Sequence, residues 1–250
     1  MKLKRLLNMK LKRLLWWKYF NEDNFSKGMA IKYINAVRRN KLVCFYQPTY
    51  NPNNYKLCDE DENVRKETTV RLETIIKSLE FNRINSYLDI GSQFGFFIFK
   101  LAETYPIIAH GIEMDEISYR YSVALNILNE CKRVSFNNFY LTPESAEKLP
   151  KYDLISFLNV FHHIVHFDNF DAACKIMKIL SKKCKYFVFE TGQYNEKGYY
   201  WSEDLKFMGD NPDKWVKEYL ISLGYSIISV NNFNTHLSGN TRSFICCERQ

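Results

Sequence analysis

Apolar residues recur along this chain with two periods, and the switching between them marks out the elements. Residues 27–40 carry apolar positions at helical spacing. Lys41 to Tyr55 reads as loop, because proline and asparagine crowd it (Gln47-Pro-Thr-Tyr-Asn-Pro-Asn-Asn54). Val70, Leu72, Ile75, Ile76 and Leu79 predict a helix from about Glu62 to Leu79. Ser86–Ile90 is a short apolar run, followed by a tight turn holding Gly91 and Gly95 and then an apolar helix to Glu103. Ile107–Glu113 is a second strand that ends in an acid. Val134–Phe136, Asp153–Leu158 and Tyr186–Glu190 predict three more strands, with helical spacing over 168–180 and 212–223. Tyr225–Val230 and Arg242–Cys246 would close the chain as a hairpin. Strands alternating with helices predict an α/β architecture, a mostly parallel seven-stranded sheet with helices on both faces. Ligands of such sheets sit beyond the carboxyl ends of the strands.

Charge changes the picture at one end only. The net charge is +7, and the first 18 of the 250 residues hold seven Lys and Arg with no acid, so the remainder is balanced. A nucleic-acid binder spreads its surplus over a binding face, so that class is disfavoured. Met1–Leu7 recurs unchanged as Met9–Leu15, and its leucines gather on one half of a helical wheel, tipped by Trp16, Trp17, Tyr19 and Phe20. Residues 1–20 therefore read as a basic amphipathic arm. It suits an anionic membrane surface; the alternatives are a partner such as a glycosyltransferase, a helix packed on the body, or a frayed leader. No run of about 18 apolar residues predicts a spanning helix. The start lacks the form of a secretory signal. Seven cysteines, with Cys246 and Cys247 adjacent and the others scattered, read as reduced thiols, so the expected location is the cytoplasm, with peripheral placement at the inner face of the membrane.

The chemistry is concentrated in Asp89-Ile-Gly-Ser-Gln-Phe-Gly95. Glycines let backbone pass close to a ligand, and a helix amino-terminus offers free N–H groups. Glu113, at the end of the second strand, is placed to accept hydrogen bonds from ribose hydroxyls. A dinucleotide site wants G-x-G-x-x-G, which is absent. An S-adenosylmethionine site prefers an acid two residues before the first glycine, as Asp89 stands, although Gln93 replaces the middle glycine of its D-x-G-x-G-x-G pattern. The residues after strands one, two, four and five form the expected site: Gly91–Gly95, Glu113, Asn159–His166 and Glu190. No metal cluster stands out.

This pattern resembles the class I S-adenosylmethionine-dependent methyltransferases, and hence a Rossmann-like sheet. More specifically it is similar to the methyltransferase part of the bacterial O-antigen chain-terminator methyltransferase–kinase family. The resemblance is carried by Phe45-Tyr-Gln-Pro48, Val64-Arg65 with Arg71-Leu-Glu-Thr-Ile75, Leu88–Phe97, Asn159-Val-Phe-His-His-Ile-Val-His166, and Tyr200-Trp201 with Thr235-His-Leu-Ser238 and Arg242. It spans roughly residues 44–247, and the double histidine and Thr-His-Leu-Ser are its more specific parts. Members of that family cap a growing polysaccharide by methylating its end, at a terminal phosphate in the better-known branch. No stretch of this sequence matches the kinase part, so the acceptor is open between a sugar hydroxyl and a phosphate made by another protein. The arm is not part of the match.

The expected organisation is the arm (1–20), a helical extension over the cofactor (21–85) and a methyltransferase domain (86–250). For S-adenosylmethionine, Asp89, Gly91, Ser92, Gln93, Gly95 and Asn159 line the methionine part, Glu113 takes the ribose and Met114 flanks adenine. The resemblance adds Tyr46 and Arg65, with Arg65 on the cofactor carboxylate. His163 is the first candidate for base or acceptor orienter, with His162 and His166 behind it; a neutral imidazole serves as base and a protonated one as anion holder. One of the pair could instead pack as a satisfied core histidine. Glu190, Tyr200, Trp201, His236 and Arg242 are the candidate acceptor residues, the aromatics as a stacking wall and Arg242 for an anion, against packing or hairpin-stabilising roles. The rival functions are methylation of another small molecule or RNA, and a silent methyltransferase-like subunit tethered to glycan assembly.

Overall fold

The computed structural model describes residues 26–44, 47–57, 67–196, 198–234 and 240–250. The arm, Tyr46, Arg65 and His236 lie outside the described residues. Helix α1 (Lys27–Arg39) starts at Ser26, whose hydroxyl accepts from the Met29 N–H. Helix α2 (Glu67–Ser78) covers the described part of the helix expected from Glu62.

Seven strands follow: β1 (Ser86–Ile90), β2 (Ile108–Glu113), β3 (Val134–Asn138), β4 (Tyr152–Leu158), β5 (Cys184–Glu190), β6 (Tyr225–Asn234) and β7 (Thr241–Arg249). Their spatial order is β3-β2-β1-β4-β5-β7-β6. The first five pair in parallel, and β7 runs antiparallel to both β5 and β6. The expected sheet and late hairpin are both present, and the hairpin is longer at each strand than the apolar pattern indicated. Chain order reverses between β1 and β4, which makes the ends of those strands the place where a crevice opens.

The central strands are apolar on both faces because helices cover both. On β1, Tyr87 packs into one core with Ile34, Ile75, Phe99 and Tyr121. Its neighbours Leu88 and Ile90 face the other core, with Phe157, Phe161, Ile176 and Phe187. Helix α3 (Phe96–Thr104) buries six of its nine residues, which accounts for its nearly unbroken apolar sequence. Helix α4 (Glu116–Asn129) follows β2, with Asp115 accepting from the Ser118 N–H as its cap.

Helices α4, α5 (Pro143–Lys148) and α6 (Phe161–Phe167) are elements that the apolar pattern left unassigned. Helix α6 is seven residues long and has no side-chain cap, so it offers neither a full period nor a start signal. Helix α7 (Phe170–Leu180) is capped by Asn169, and α8 (Pro212–Ser222) by Asn211. A 3-10 segment, Ser202–Met208, lies between β5 and α8. Among the described residues, no helix is long and apolar enough to cross a membrane.

Candidate active site

The turn after β1 explains both its glycines and its departure from the usual glycine pattern. Gly91 has φ +75°, and a Cβ there would come within 2.4 Å of Val160 Cγ2. Gly95 has φ +78°, and a Cβ would meet the Phe136 ring at 2.6 Å. Gln93, at the position of the missing middle glycine, also adopts a left-handed φ of +49°. That conformation costs a side-chain-bearing residue about 1–2 kcal/mol. Two bonds hold it: its backbone N–H donates to Glu113 Oε2 at 2.9 Å, and its amide donates to the Cys44 carbonyl at 2.8 Å.

Glu113 is thereby tied to the turn. Its second oxygen accepts from the Asp115 N–H at 2.8 Å, and burial pushes its carboxyl above the ordinary range. Asp89 is buried beside it and accepts a hydrogen bond from Ser156 Oγ at 2.5 Å. Burial first, then the Glu113 charge, push its carboxyl up to about 7. Asn138 donates to the carbonyls of Glu113 and Met114. Met114 itself is 57% exposed, follows the last residue of β2 and is not among the residues that line the cleft.

A cleft of about 490 Å³ opens beyond β1 and β4, within the range of small-molecule sites. Asp89 and Gly91 line one end. His162, His163, Tyr199, Tyr200 and Trp201 line another wall, and Arg71, Asn159, Glu190 and Arg242 complete it. Ser92, Gln93, Gly95 and Glu113 stand behind the lining, in the turn that shapes it.

The two histidines of the pair differ. His162 is buried, and its Nδ1 accepts from the Gly192 N–H at 2.9 Å, so Nε2 carries the proton. It packs 4.4 Å from Trp201, and burial drives its pKa well below the ordinary histidine value. His163 is partly open to the cleft, with Nδ1 3.2 Å from the Tyr200 hydroxyl. Burial, then the charge of Arg242, lower it to about 4, so it is neutral at physiological pH. His166 is separated from the pair: its Nδ1 meets Asp204 Oδ2 at 2.6 Å, and it does not line the cleft. Tyr200 is 61% exposed at the mouth, whereas Trp201 is buried beneath it.

The charged groups form a chain that crosses the sheet. Arg71 binds Glu190 in a bidentate pair, Nε to Oε2 at 2.9 Å and Nη2 to Oε1 at 2.6 Å, and its guanidinium lies 4.4 Å over the Phe233 ring. Arg242 binds Glu196 in the same way, with both contacts at 2.7 Å. Asn159 joins the two pairs, its Oδ1 accepting from Arg242 Nη1 at 2.5 Å and its Nδ2 donating to Glu190 Oε2 at 3.2 Å. Its own φ is +60°, a strained value that the network over-determines. Arg242 therefore reaches outside the hairpin, and its cleft-side charge is already matched. Sequence reasoning missed Glu196 altogether, and also the exposed ring of Phe167 beside Tyr200 at the mouth. Among the described residues no cluster could hold a metal ion.

No family model matches the chain, and no curated protein matches it by sequence. Solved structures do. The bifunctional kinase–methyltransferase WbdD superposes with a TM-score of 0.69 at 23% identity, over 85% of this chain and 46% of that one. The chain thus spans about half the length of WbdD. Magnesium protoporphyrin IX methyltransferase (ChlM) from Synechocystis PCC 6803, with bound SAH, matches at TM-score 0.58 and 14% identity, over 90% of this chain and 99% of that one. The chain has the class I methyltransferase fold. The N-terminal domain of EvdMO1, in the presence of SAH and D-fucose, has the same TM-score of 0.58 at 11% identity, covering 86% and 95%.

The residues present fit the cofactor of that fold. Three buried side-chain atoms around the turn have no hydrogen-bond partner among the described residues: Gln47 Oε1, Ser92 Oγ and Gln93 Oε1. Leaving such groups unpaired costs about 1–3 kcal/mol each, so a polar ligand at the turn is the economical account of them. Gln47, Asp89 and Gly91 also line the cleft, next to the two histidines.

Proposed function

We propose that this chain is an S-adenosylmethionine-dependent O-methyltransferase acting on the end of a glycan. The observation that carries the reading is the shared cleft: Asp89 and Gly91 of the cofactor turn and His163 of the β4 end line one space. Asp89, Gln47 and the turn residues Ser92 and Gln93 would hold the methionine part, with Glu113 bracing the turn and available to the ribose. When bound, the cofactor supplies a methyl group on a sulfonium, which passes to the acceptor oxygen while the bonding pair stays on sulfur.

The residues of the chain then have three tasks. The walls exclude water and align the acceptor oxygen, and proximity of this kind supplies several kcal/mol. Tyr200 orients His163 through Nδ1, which leaves Nε2 to take a proton from an acceptor hydroxyl. His162, held in one tautomer by the Gly192 N–H, supports His163 from behind at a ring separation of 4.2 Å. The mouth, with Tyr200 and Phe167 exposed, suits the apolar face of a sugar. Glycan chemistry is further supported by the segments similar to the O-antigen terminator family.

The basic arm supports work beside an anionic membrane surface, where lipid-linked glycans are accessible. Equal co-sedimentation with anionic liposomes by a chain beginning at Asn21 removes that part of the reading. The central test is labelled methyl transfer from S-adenosylmethionine to a surface-polysaccharide pool, alongside calorimetry with SAH. Saturable SAH binding with label in the glycan is expected. Absence of both defeats the reading.

A further inference from the structure

We propose that Ser156 and Tyr87 are positioning residues of the cofactor site: a hydrogen-bond chain inside the sheet, from Tyr87 to Ser156 to Asp89, favours the ionised form of Asp89 that a cationic cofactor requires. This inference rests on the methyltransferase reading above, and it adds two buried residues that do not themselves line the cleft.

The three side chains share one face of the sheet. Tyr87 and Asp89 are two residues apart on β1, and Ser156 is the partner of Asp89 in the register of β1 with β4. Ser156 Oγ donates to Asp89 Oδ1 at 2.5 Å and lies 2.7 Å from the Tyr87 hydroxyl. A serine hydroxyl has one proton to give. Ser156 gives it to Asp89, so Tyr87 must donate to Ser156, and the chain runs one way. Burial holds the Tyr87 phenol well above the ordinary tyrosine range, so it stays a donor. A proton placed on Asp89 Oδ1 would turn the chain round and leave the Tyr87 O–H aimed into the apolar core, at the cost of an unmade hydrogen bond. Phenylalanine and alanine would fill the same space with no polar group to satisfy, so packing does not account for either hydroxyl.

The surroundings define what the chain opposes. Burial first, and with it the Glu113 charge from β2, push the Asp89 carboxyl up, whereas the bonds of Ser156 and then Tyr87 pull it down. His110 of β2 is paired with Leu88 and so lies on the other face of the sheet. Lys100 and Glu103 of α3, the helix packed on β1, pair with each other at the surface. Across the cleft Arg71 and Arg242 each bind a carboxylate, and burial keeps His162 and His163 neutral. The two hydroxyls are therefore the near groups that favour charge on Asp89, and the positive charge of a bound cofactor acts in the same direction.

The test is calorimetry with S-adenosylmethionine on the full chain, on Ser156→Ala and on Tyr87→Phe, from about pH 5.5 to 8.5 in buffers of different ionisation enthalpy. The amino group of the cofactor titrates alike for all three proteins, so differences between them report on Asp89. Ser156→Ala removes a bond to the charged form. Its acid limb of binding should move up by about one pH unit, with affinity at pH 6 about tenfold below wild type and the two converging above the limb. Proton release at pH 7 should grow by up to about half a proton, since Asp89 starts near 7 in the wild type. Tyr87→Phe should move both readouts the same way by less, and it carries the test alone if Ser156→Ala fails to fold. A limb and proton release identical to wild type, or affinity lowered equally at every pH, overturns the inference and leaves the methyltransferase reading intact. Absence of cofactor binding by the wild type at any pH defeats that broader reading instead.

Discussion

Replacing Glu190 with Gln tests the buried network at a member with no access to water. Glu190 is fully buried and accepts three hydrogen bonds: two from Arg71 and one from Asn159. The substitution conserves volume but removes the charge, leaving the Arg71 guanidinium without a counter-charge between α2 and the sheet. Breaking a buried pair in this way costs about 3–5 kcal/mol, because the surviving ion keeps its desolvation penalty. For a protein of this size each kcal/mol lowers Tm by about 2–4 °C, so Glu190→Gln should unfold roughly 6–20 °C earlier. Arg71→Met alone should be similarly costly, since it strands the carboxylate. The double variant Arg71→Met/Glu190→Gln removes both charges and should recover a large part of the loss. Thermal unfolding of the four proteins, followed by circular dichroism and calorimetry, gives the coupling. A Tm change under about 2 °C in both single variants, or coupling below about 0.5 kcal/mol, would refute the argument that the pair is desolvated and mutually dependent.

Gly91→Ala places a methyl group on Val160 in a backbone conformation that disfavours alanine, so SAH affinity should fall at least about tenfold in calorimetry; wild-type affinity contradicts the account of the turn. Asp89, pushed up to about 7 in the free protein, is partly protonated at neutral pH, and a cationic donor favours its ionised form. Binding of S-adenosylmethionine should therefore release a proton and weaken as pH falls below about 7, by up to about tenfold per pH unit; identical binding heats in buffers of different ionisation enthalpy would count against it. His163→Ala should lower kcat about a hundredfold or more while SAH affinity holds, and unchanged turnover removes it from proton transfer. Because His163 is lowered to about 4, its base form persists below the usual histidine range, and at saturating cofactor its acid limb should lie near pH 4 rather than 6.5.

The legible parts of this fold are those whose partners are close in sequence. Asp89, Gly91 and Gly95 fall within one turn, and Glu113 is only 20 residues from Gln93, so a local pattern sufficed to bring them together. The central strands read clearly because burial on both faces leaves runs of apolar residues. Arg71 and Glu190 are 119 residues apart, and Arg242 and Glu196 are 46 apart. No periodicity encodes such pairings, so Arg242 read as an acceptor ligand and Glu196 did not register. Met114, expected beside adenine, follows the last residue of β2 and lies on the surface. The His pair was visible as a motif, but its division into one buried and one cleft-facing ring required Gly192 and Trp201, which follow β5 and lie about 30 and 39 residues further along the chain.

In the proposed reaction, one short segment, Asn159 to His163, sets the relation between donor and acceptor. Val160 Cγ2 occupies the space that a Cβ on Gly91 would need, so the end of β4 rests directly on the cofactor turn. Asn159 ties the same segment to both ion pairs of the acceptor wall, and its backbone N–H is fixed on the Glu190 carbonyl at 2.7 Å. His162 and His163 begin the helix that follows. A shift in any of these contacts would move the cofactor turn, the imidazole and the acceptor wall relative to one another. Displacements of about 1 Å are enough to cost an enzyme about a hundredfold in rate. In the proposed reaction, the strained φ of Asn159 and the buried charge around it serve one requirement, fixed spacing between the turn that would hold the donor and the ring that would take the proton.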